Sequence, residues 1–329
     1  MKRQGSYRMM MVWLGVVVAI LMGGGGTAKA DFTFGTPTNM GPTINSPQHE
    51  GTCFISGDGL EFYFSSVSIW EGGLGNWDIW VSRRADKREG WGIPTNLGPP
   101  VNSSQIDFVG SLSHDGLEMY LHSTRTGGHG KTDLYVSSRP SKDAAWTAPV
   151  NLGATFNTSS WEEKPVISSD DLELFFLSNR AGVSGGCDIY VSTRLSRSDP
   201  WGPPTNLGPT VNSSKDDILI YLSPDGLRSL LVSDRPGGFG GYDTWMSSRP
   251  SKDLPWTTPL NLGRPLNTAY ADGACSVSPD GLLLYLDDWS APRPGGFGGS
   301  DLWQVPIIPI VDFNGDGLVE IGDLVMLIE

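Results

Sequence analysis

S-L-S-H-D-G-L-E-M-Y-L-H-S-T-R-T-G-G-H-G-K-T-D-L-Y-V-S-S-R fills residues 111–139, and the chain writes a version of it five times. A tail, W-T-A-P-V-N-L-G, follows at 146–153. Three markers share the period. The aspartate of the S-x-D-G-L or S-x-D-D-L piece stands at Asp58, Asp115, Asp170, Asp225 and Asp280. The aspartate before the aromatic strand stands at Asp78, Asp133, Asp188, Asp243 and Asp301, and the tail asparagine at Asn39, Asn96, Asn151, Asn206 and Asn261. Each series advances by 55 to 58 residues. A fixed period of this size means one supersecondary unit repeated in space.

Each copy holds four strand-like runs, expected in the first copy at 50–56, 60–65, 78–82 and 91–97. The second run is nearly all apolar in other copies, as in Leu172-Glu173-Leu174-Phe175-Phe176-Leu177. A strand apolar on both sides is buried on both faces. The D-G pair between the first two runs is a hairpin signal. Four antiparallel strands per copy, arranged radially, make the blade of a β-propeller. The expected fold is therefore all-β, a five-bladed β-propeller of four-stranded antiparallel blades over residues 31–306.

The ends predict how the ring closes. A tail-like segment, Phe34-Gly35-Thr36-Pro37-Thr38-Asn39, precedes the first blade, with Phe34 in the slot of Trp91, Trp146, Trp201 and Trp256. Asp301-Leu302-Trp303-Gln304-Val305 is a third strand with no tail after it. The N-terminal strand is expected to complete the last blade and so remove its open edge.

S-P-D-G-L at 223–227 and 278–282, together with D-I-Y-V-S at 188–192, resembles the WD40-like propeller repeat of TolB-type proteins. The resemblance covers nearly the whole chain after the leader. It implies a propeller, and family members are mostly exported bacterial proteins. The repeat itself implies no reaction.

An acidic residue precedes each repeat aspartate by eight: Glu50, Asp107, Glu162, Asp217 and Asp272. The first strand of a blade is expected innermost, so these five would ring the axis. They could hold a cation or polar ligand, or tie each incoming loop to its blade. Arg125, Arg180, Arg235 and Arg293 each precede the strand aspartate by eight, and an Arg–Asp pair closing the loop is the expected role. The doublets Glu162-Glu163, Asp216-Asp217 and Asp287-Asp288 are the sequence's only hint of carboxylates placed for hydrolysis. Among the aromatics, the non-repeating Trp70, Trp77, Trp161, Trp289 and Phe239 are the candidates for ligand contact. Cys53 and Cys275 share one slot in the first and fifth copies. They could form a disulfide or be two small buried residues.

After 306 the pattern changes. A linker is expected at 307–311, then D-F-N-G-D-G-L-V-E-I-G-D at 312–323. This matches the EF-hand-type calcium loop, with Asp312, Asn314, Asp316, the Leu318 carbonyl and Asp323 as ligands for Ca²⁺. Asp at the twelfth position, followed by Leu324 and Leu327, resembles a dockerin type I repeat, which implies a cohesin-like partner. A dockerin has two such repeats and residues 312–329 hold one.

The N-terminus reads as an export signal. Lys2, Arg3 and Arg8 precede an apolar stretch at 9–22, and Ala28-Lys29-Ala30 is an A-x-A cleavage site, so 1–30 is expected to be removed. The apolar stretch is shorter than the roughly 20 residues a membrane span needs. The formal net charge of −13 argues against nucleic acid or an anionic membrane as partner. These readings predict an exported, non-enzymatic scaffold that binds protein or glycan and carries a calcium loop. The alternative is a propeller-fold glycoside hydrolase.

Overall fold

A computed structural model describes residues 32–309, apart from 68–71, 75, 183 and 289–292. Contacts divide the chain into Met1–Ala30, all outside the described residues, and Asp31–Glu329. The expected calcium ligands also lie outside them, as do Trp70 and Trp289. The described residues form strands and turns and no helix.

Blade one is β3 (Glu50–Ile55), β4 (Glu61–Ser66), β5 (Asp78–Arg83) and β6 (Thr95–Asn96). Blade two is β7 (Asp107–Leu112), β8 (Glu118–Ser123), β9 (Asp133–Ser138) and β10 (Val150–Asn151). Blade three is β11 (Glu162–Ile167), β12 (Glu173–Ser178), β13 (Asp188–Thr193) and β14 (Thr205–Asn206). Blade four is β15 (Asp217–Leu222), β16 (Arg228–Ser233), β17 (Asp243–Ser248) and β18 (Leu260–Asn261). Blade five is β19 (Gly273–Val277), β20 (Leu283–Asp287) and β21 (Leu302–Pro309), completed by β1 (Phe32–Phe34) and β2 (Thr38–Asn39) from the other end of the chain. All pairings within blades are antiparallel, and the fold is the expected five-bladed propeller.

The first strands meet in a closed cycle: β3 neighbours β7, β7 neighbours β11, β11 neighbours β15, β15 neighbours β19, and β19 returns to β3. One apolar cluster fills each of the five seams. Second strands feed both of their seams, which is why Leu174, Phe175, Phe176 and Leu177 are all buried. Each such side chain contributes about 1.5–3 kcal/mol of burial. Repeated cations clamp the seams outside the apolar layer. Arg139 of blade two reaches Glu61 of blade one at 2.6 Å, Arg197 reaches Asp115 at 2.6 Å, and Arg249 reaches Glu173 at 2.5 Å.

Two expectations change at the blade rims. The fourth strands are two residues long rather than seven. A proline (Pro94, Pro149, Pro204 or Pro259) immediately precedes each of β6, β10, β14 and β18 and removes a ladder donor, which suits an edge. At the other end, β21 extends through Pro309, into the stretch expected as a linker, and there it pairs with β1 (Phe34↔Ile307, Phe32↔Pro309). β2 pairs with the same strand at Thr38↔Gln304. The turn after each first strand is built by the repeat aspartate: Asp58 accepts the Ser56 hydroxyl at 2.6 Å and the Leu60 N–H at 3.0 Å. The next residue takes a positive φ, 73° at Gly59 and 61° at Asp171, and Asp tolerates that region better than most residues.

Candidate active site

Glu50, Asp107, Glu162, Asp217 and Asp272 stand at or just before the start of the five first strands, and all are buried. Each is tied into its own blade. Asp107 accepts the Ser103 N–H at 2.6 Å, the Ser123 hydroxyl at 2.6 Å and the Arg125 guanidinium at 2.6 Å. Glu162 repeats this with Thr158, Ser178 and Arg180. Asp217 repeats it with Ser213, Ser233 and Arg235, and Asp272 with Thr268 and Arg293. The arginines therefore pair with the ring acids and not, as expected, with the strand aspartates. Those close their loops on backbone instead: Asp133 accepts the N–H groups of His129 at 2.5 Å and Gly130 at 3.0 Å, and the Asn151 amide at 2.9 Å.

One residue further along, the blades stop being equivalent. The second residues of this row are Gly51, Phe108, Glu163, Ile218 and Gly273. Across the ladder from them lie Ser65, His122, Leu177, Val232 and Asp287. All of these but Ser65 and Leu177 line a cavity of about 370 Å³, walled by segments of all five first strands. None of the five ring acids lines it. Among the described residues its carboxylates are Glu163 and Asp287, from blades three and five.

Asp287 reaches the axis because its neighbour across the ladder has no side chain. A Cβ on Gly273 would lie 2.6 Å from the Asp287 Oδ1. Asp287 Oδ2 accepts the Thr52 N–H at 3.0 Å and the Cys275 thiol at 3.3 Å, two donors suited to a carboxylate. Its doublet partner Asp288 is structural, accepting the N–H groups of Asp301 at 2.6 Å and Arg293 at 2.7 Å and the Trp303 indole N–H at 3.0 Å.

Glu163 is placed by a β-bulge. The β11–β12 register shifts between Glu163 and Val166, so Lys164 and Pro165 together oppose the single residue Phe176. Alternate strand residues normally face opposite ways; the bulge lets both Glu163 and Lys164 line the cavity. Lys164 takes a φ of 52°, and its counterpart Thr52 in blade one takes 35°. Such strain is stored where the surroundings hold it in place. Here Gly110 of blade two makes room, since a Cβ there would lie 2.4 Å from the Pro165 carbonyl oxygen. The Ser111 hydroxyl then donates to that oxygen at 3.0 Å. Burial pushes the Glu163 carboxyl up from the ordinary value of 4.5, while Lys164 and a hydrogen bond from Thr132 pull it back.

An aromatic wall stands beside these groups. Trp77 lies 4.8 Å from Phe108, and Phe108 stacks on His122 at 5.1 Å with 8° between planes. His122 Nδ1 accepts the Lys164 N–H at 3.3 Å, which leaves its proton on Nε2. Burial, then the Lys164 charge, holds this imidazole well below its usual pKa, so it is neutral. Of the aromatics singled out in the sequence, Trp77 lines the cavity; Trp161 and Phe239 are exposed, covered by Lys131 and Arg264.

No family model matches the sequence, and no curated protein matches it. Solved structures do share the fold. An α-L-arabinofuranosidase from Lactobacillus brevis is 14% identical with a TM-score of 0.52, covering 83% of this chain and 94% of its own. Zg3597, a family 117 glycoside hydrolase from Zobellia galactanivorans, is 10% identical with a TM-score of 0.51, covering 90% and 97%. A putative TolB from Agrobacterium tumefaciens is 16% identical with a TM-score of 0.47, covering 82% and 86%. The expectation of a non-enzymatic scaffold is corrected on this ground. The two structures named here with TM-scores above 0.5 are glycoside hydrolases, and the repeat symmetry breaks at the axis. Low identity makes the likeness one of fold: the chain is a five-bladed β-propeller with a carboxylate-bearing axial cavity.

Proposed function

We propose that the protein is a glycoside hydrolase or related carbohydrate-active enzyme that works in the axial cavity. The observation that carries this reading is the pair Glu163 and Asp287, the two cavity carboxylates, at positions where the other blades hold no acid. Glycoside hydrolysis needs two carboxyl groups in different environments, one protonated and one ionised. Glu163, desolvated, keeps its proton to higher pH and serves as general acid to the leaving oxygen. Asp287, held by the Thr52 N–H and the Cys275 thiol, serves as the base or nucleophile on the other side of the sugar. Trp77 and Phe108 supply an apolar face for the ring.

α-L-Arabinofuranosides with alkyl leaving groups, and their xylo- and galacto-configured counterparts, are the first substrates to test. Glu163→Gln and Asp287→Asn should each lower kcat/KM by roughly 10²–10⁴-fold with an unchanged melting temperature. Hydrolysis at wild-type rates by both variants would overturn the reading. We also propose that 312–323 binds Ca²⁺ through Asp312, Asn314, Asp316, Leu318 and Asp323, in a protein that is exported.

A further inference from the structure

Two of the three cysteines stand on opposite sides of the seam where the ring closes. Cys53 belongs to β3 and Cys275 to β19, the adjacent first strands of blades one and five. Both are the fourth residue of their row, both are free and buried, and both pack in the single apolar cluster of that seam. Both also line the axial cavity. Asp287 Oδ2 gives an independent measure of their closeness. It lies 3.3 Å from the Cys275 sulfur and 3.0 Å from the backbone nitrogen of Thr52, the residue bonded to Cys53. One oxygen thus touches the thiol of one cysteine and the backbone N–H of the residue before the other. Each cysteine also sits at a ladder irregularity, Gly51/Cys53 and Ala274/Ser276, where extra residues turn strands out of their regular alternation.

We infer that Cys53 and Cys275 are a redox-active pair that closes to a disulfide across the blade one–blade five seam. The oxidant is a small organic or protein disulfide of the kind found outside a reducing cytoplasm. The thiolate of one cysteine attacks that disulfide, forming a mixed disulfide and releasing one thiol. The thiolate of the second then attacks the bound sulfur and releases the other thiol. Two S–H bonds become one S–S bond, and the oxidant carries away both electrons and both protons as two thiols. The ring, whose two chain ends meet through β1 and β2, becomes covalently closed from blade one to blade five. The Cys53 thiol is held well above its usual pKa by burial and then by its neighbour Cys275, so exchange is slow at neutral pH and faster in alkali. Cys187 is half-buried in the loop before β13, away from this seam, and has no part in the pair.

The test uses the full chain carrying Cys187→Ser, with cystamine as oxidant at pH 9. After quenching, the protein is unfolded, alkylated with iodoacetamide and weighed intact. A parallel sample is refolded from urea in cystamine–cysteamine buffer. The pair is supported if the reduced chain takes two alkyl groups, the oxidised chain takes none, and the mass shows the loss of two hydrogens with no cystamine adduct. The oxidised chain should melt roughly 5–10 °C higher, because a long loop is closed in the unfolded state. Adding Cys53→Ser should abolish that rise. Two alkyl groups in both samples, a stable cystamine adduct on either cysteine, or a disulfide-linked dimer would overturn it.

Discussion

Glu50 differs from its four equivalents in one respect. Asp107, Glu162, Asp217 and Asp272 each meet an arginine, but no Lys or Arg occurs between Lys29 and Arg83. Burial raises the Glu50 pKa from 4.5 to about 7, against the hydrogen bonds from Ser46 and Ser66. A carboxyl whose folded pKa lies above its unfolded pKa holds its proton longer in the native state, so stability falls as pH rises between the two values. We expect up to about 3 kcal/mol to be lost between pH 4.5 and 7, with little further change above. Urea unfolding across that range should show the slope, and Glu50→Gln should flatten it. Lys164 gives a second prediction at this scale. Its charge favours ionised Glu163, so Lys164→Met should move the alkaline limb of kcat/KM to higher pH, and an unmoved limb would separate Lys164 from the acid. The sequence displays the doublets 162–163, 216–217 and 287–288, but not which member faces the cavity. That sorting follows from register. Glu162 and Asp217 hold ring slots, Asp216 accepts the Tyr242 hydroxyl at 2.6 Å, and Glu163 and Asp287 are released to the axis. The bulge that turns Glu163 inward depends on Gly110 of another blade, a contact no single repeat reveals.

Strand composition made the blades legible, because burial on both faces forces the continuous apolar second strands. Turn chemistry made the hairpins legible, through Asp58 and its equivalents. The arginine partners were misjudged because each arginine keeps a regular distance from both acids: eight residues to the strand aspartate, and 18 residues to the ring acid in blades two to four with 21 in blade five. Spacing alone does not choose between them; the fold of the loop does. The closing strand was legible from the misplaced tail at 34–39. Phe34 anchors it, buried in the cluster of the blade four–blade five seam. Phe34→Ala should cost about 3–5 kcal/mol, as for other buried aromatics. Thermal melting would show this, and an unchanged melting point would mean that the N-terminal strand does not close the ring.

Across the whole molecule, symmetry separates frame from function. Contacts that recur from blade to blade hold the frame: ring acids on loops and strand aspartates on backbone in every blade, and cations across three of the seams. Function is expected where the repeat fails, since a ligand or reaction needs particular groups in particular places. The segment 312–323 should bind Ca²⁺ weakly, on the order of 10⁻⁴–10⁻³ M, as extracellular modules do. Calorimetric titration of the full chain and of a variant with Asp312→Ala and Asp316→Ala should differ in heat, whereas equal heats would make the loop a decoy.

The role given to Glu163 as proton donor is tested most directly by varying the leaving group. An acid is needed when the departing alcohol is a poor leaving group and is dispensable when it is an activated phenol. Wild type and Glu163→Gln should be compared on a glycoside with an alkyl leaving group and on the matching dinitrophenyl glycoside. The account predicts a loss of at least about 100-fold in kcat/KM on the alkyl glycoside and near wild-type rates on the dinitrophenyl one. An equal loss on both, or no loss on either, would contradict it.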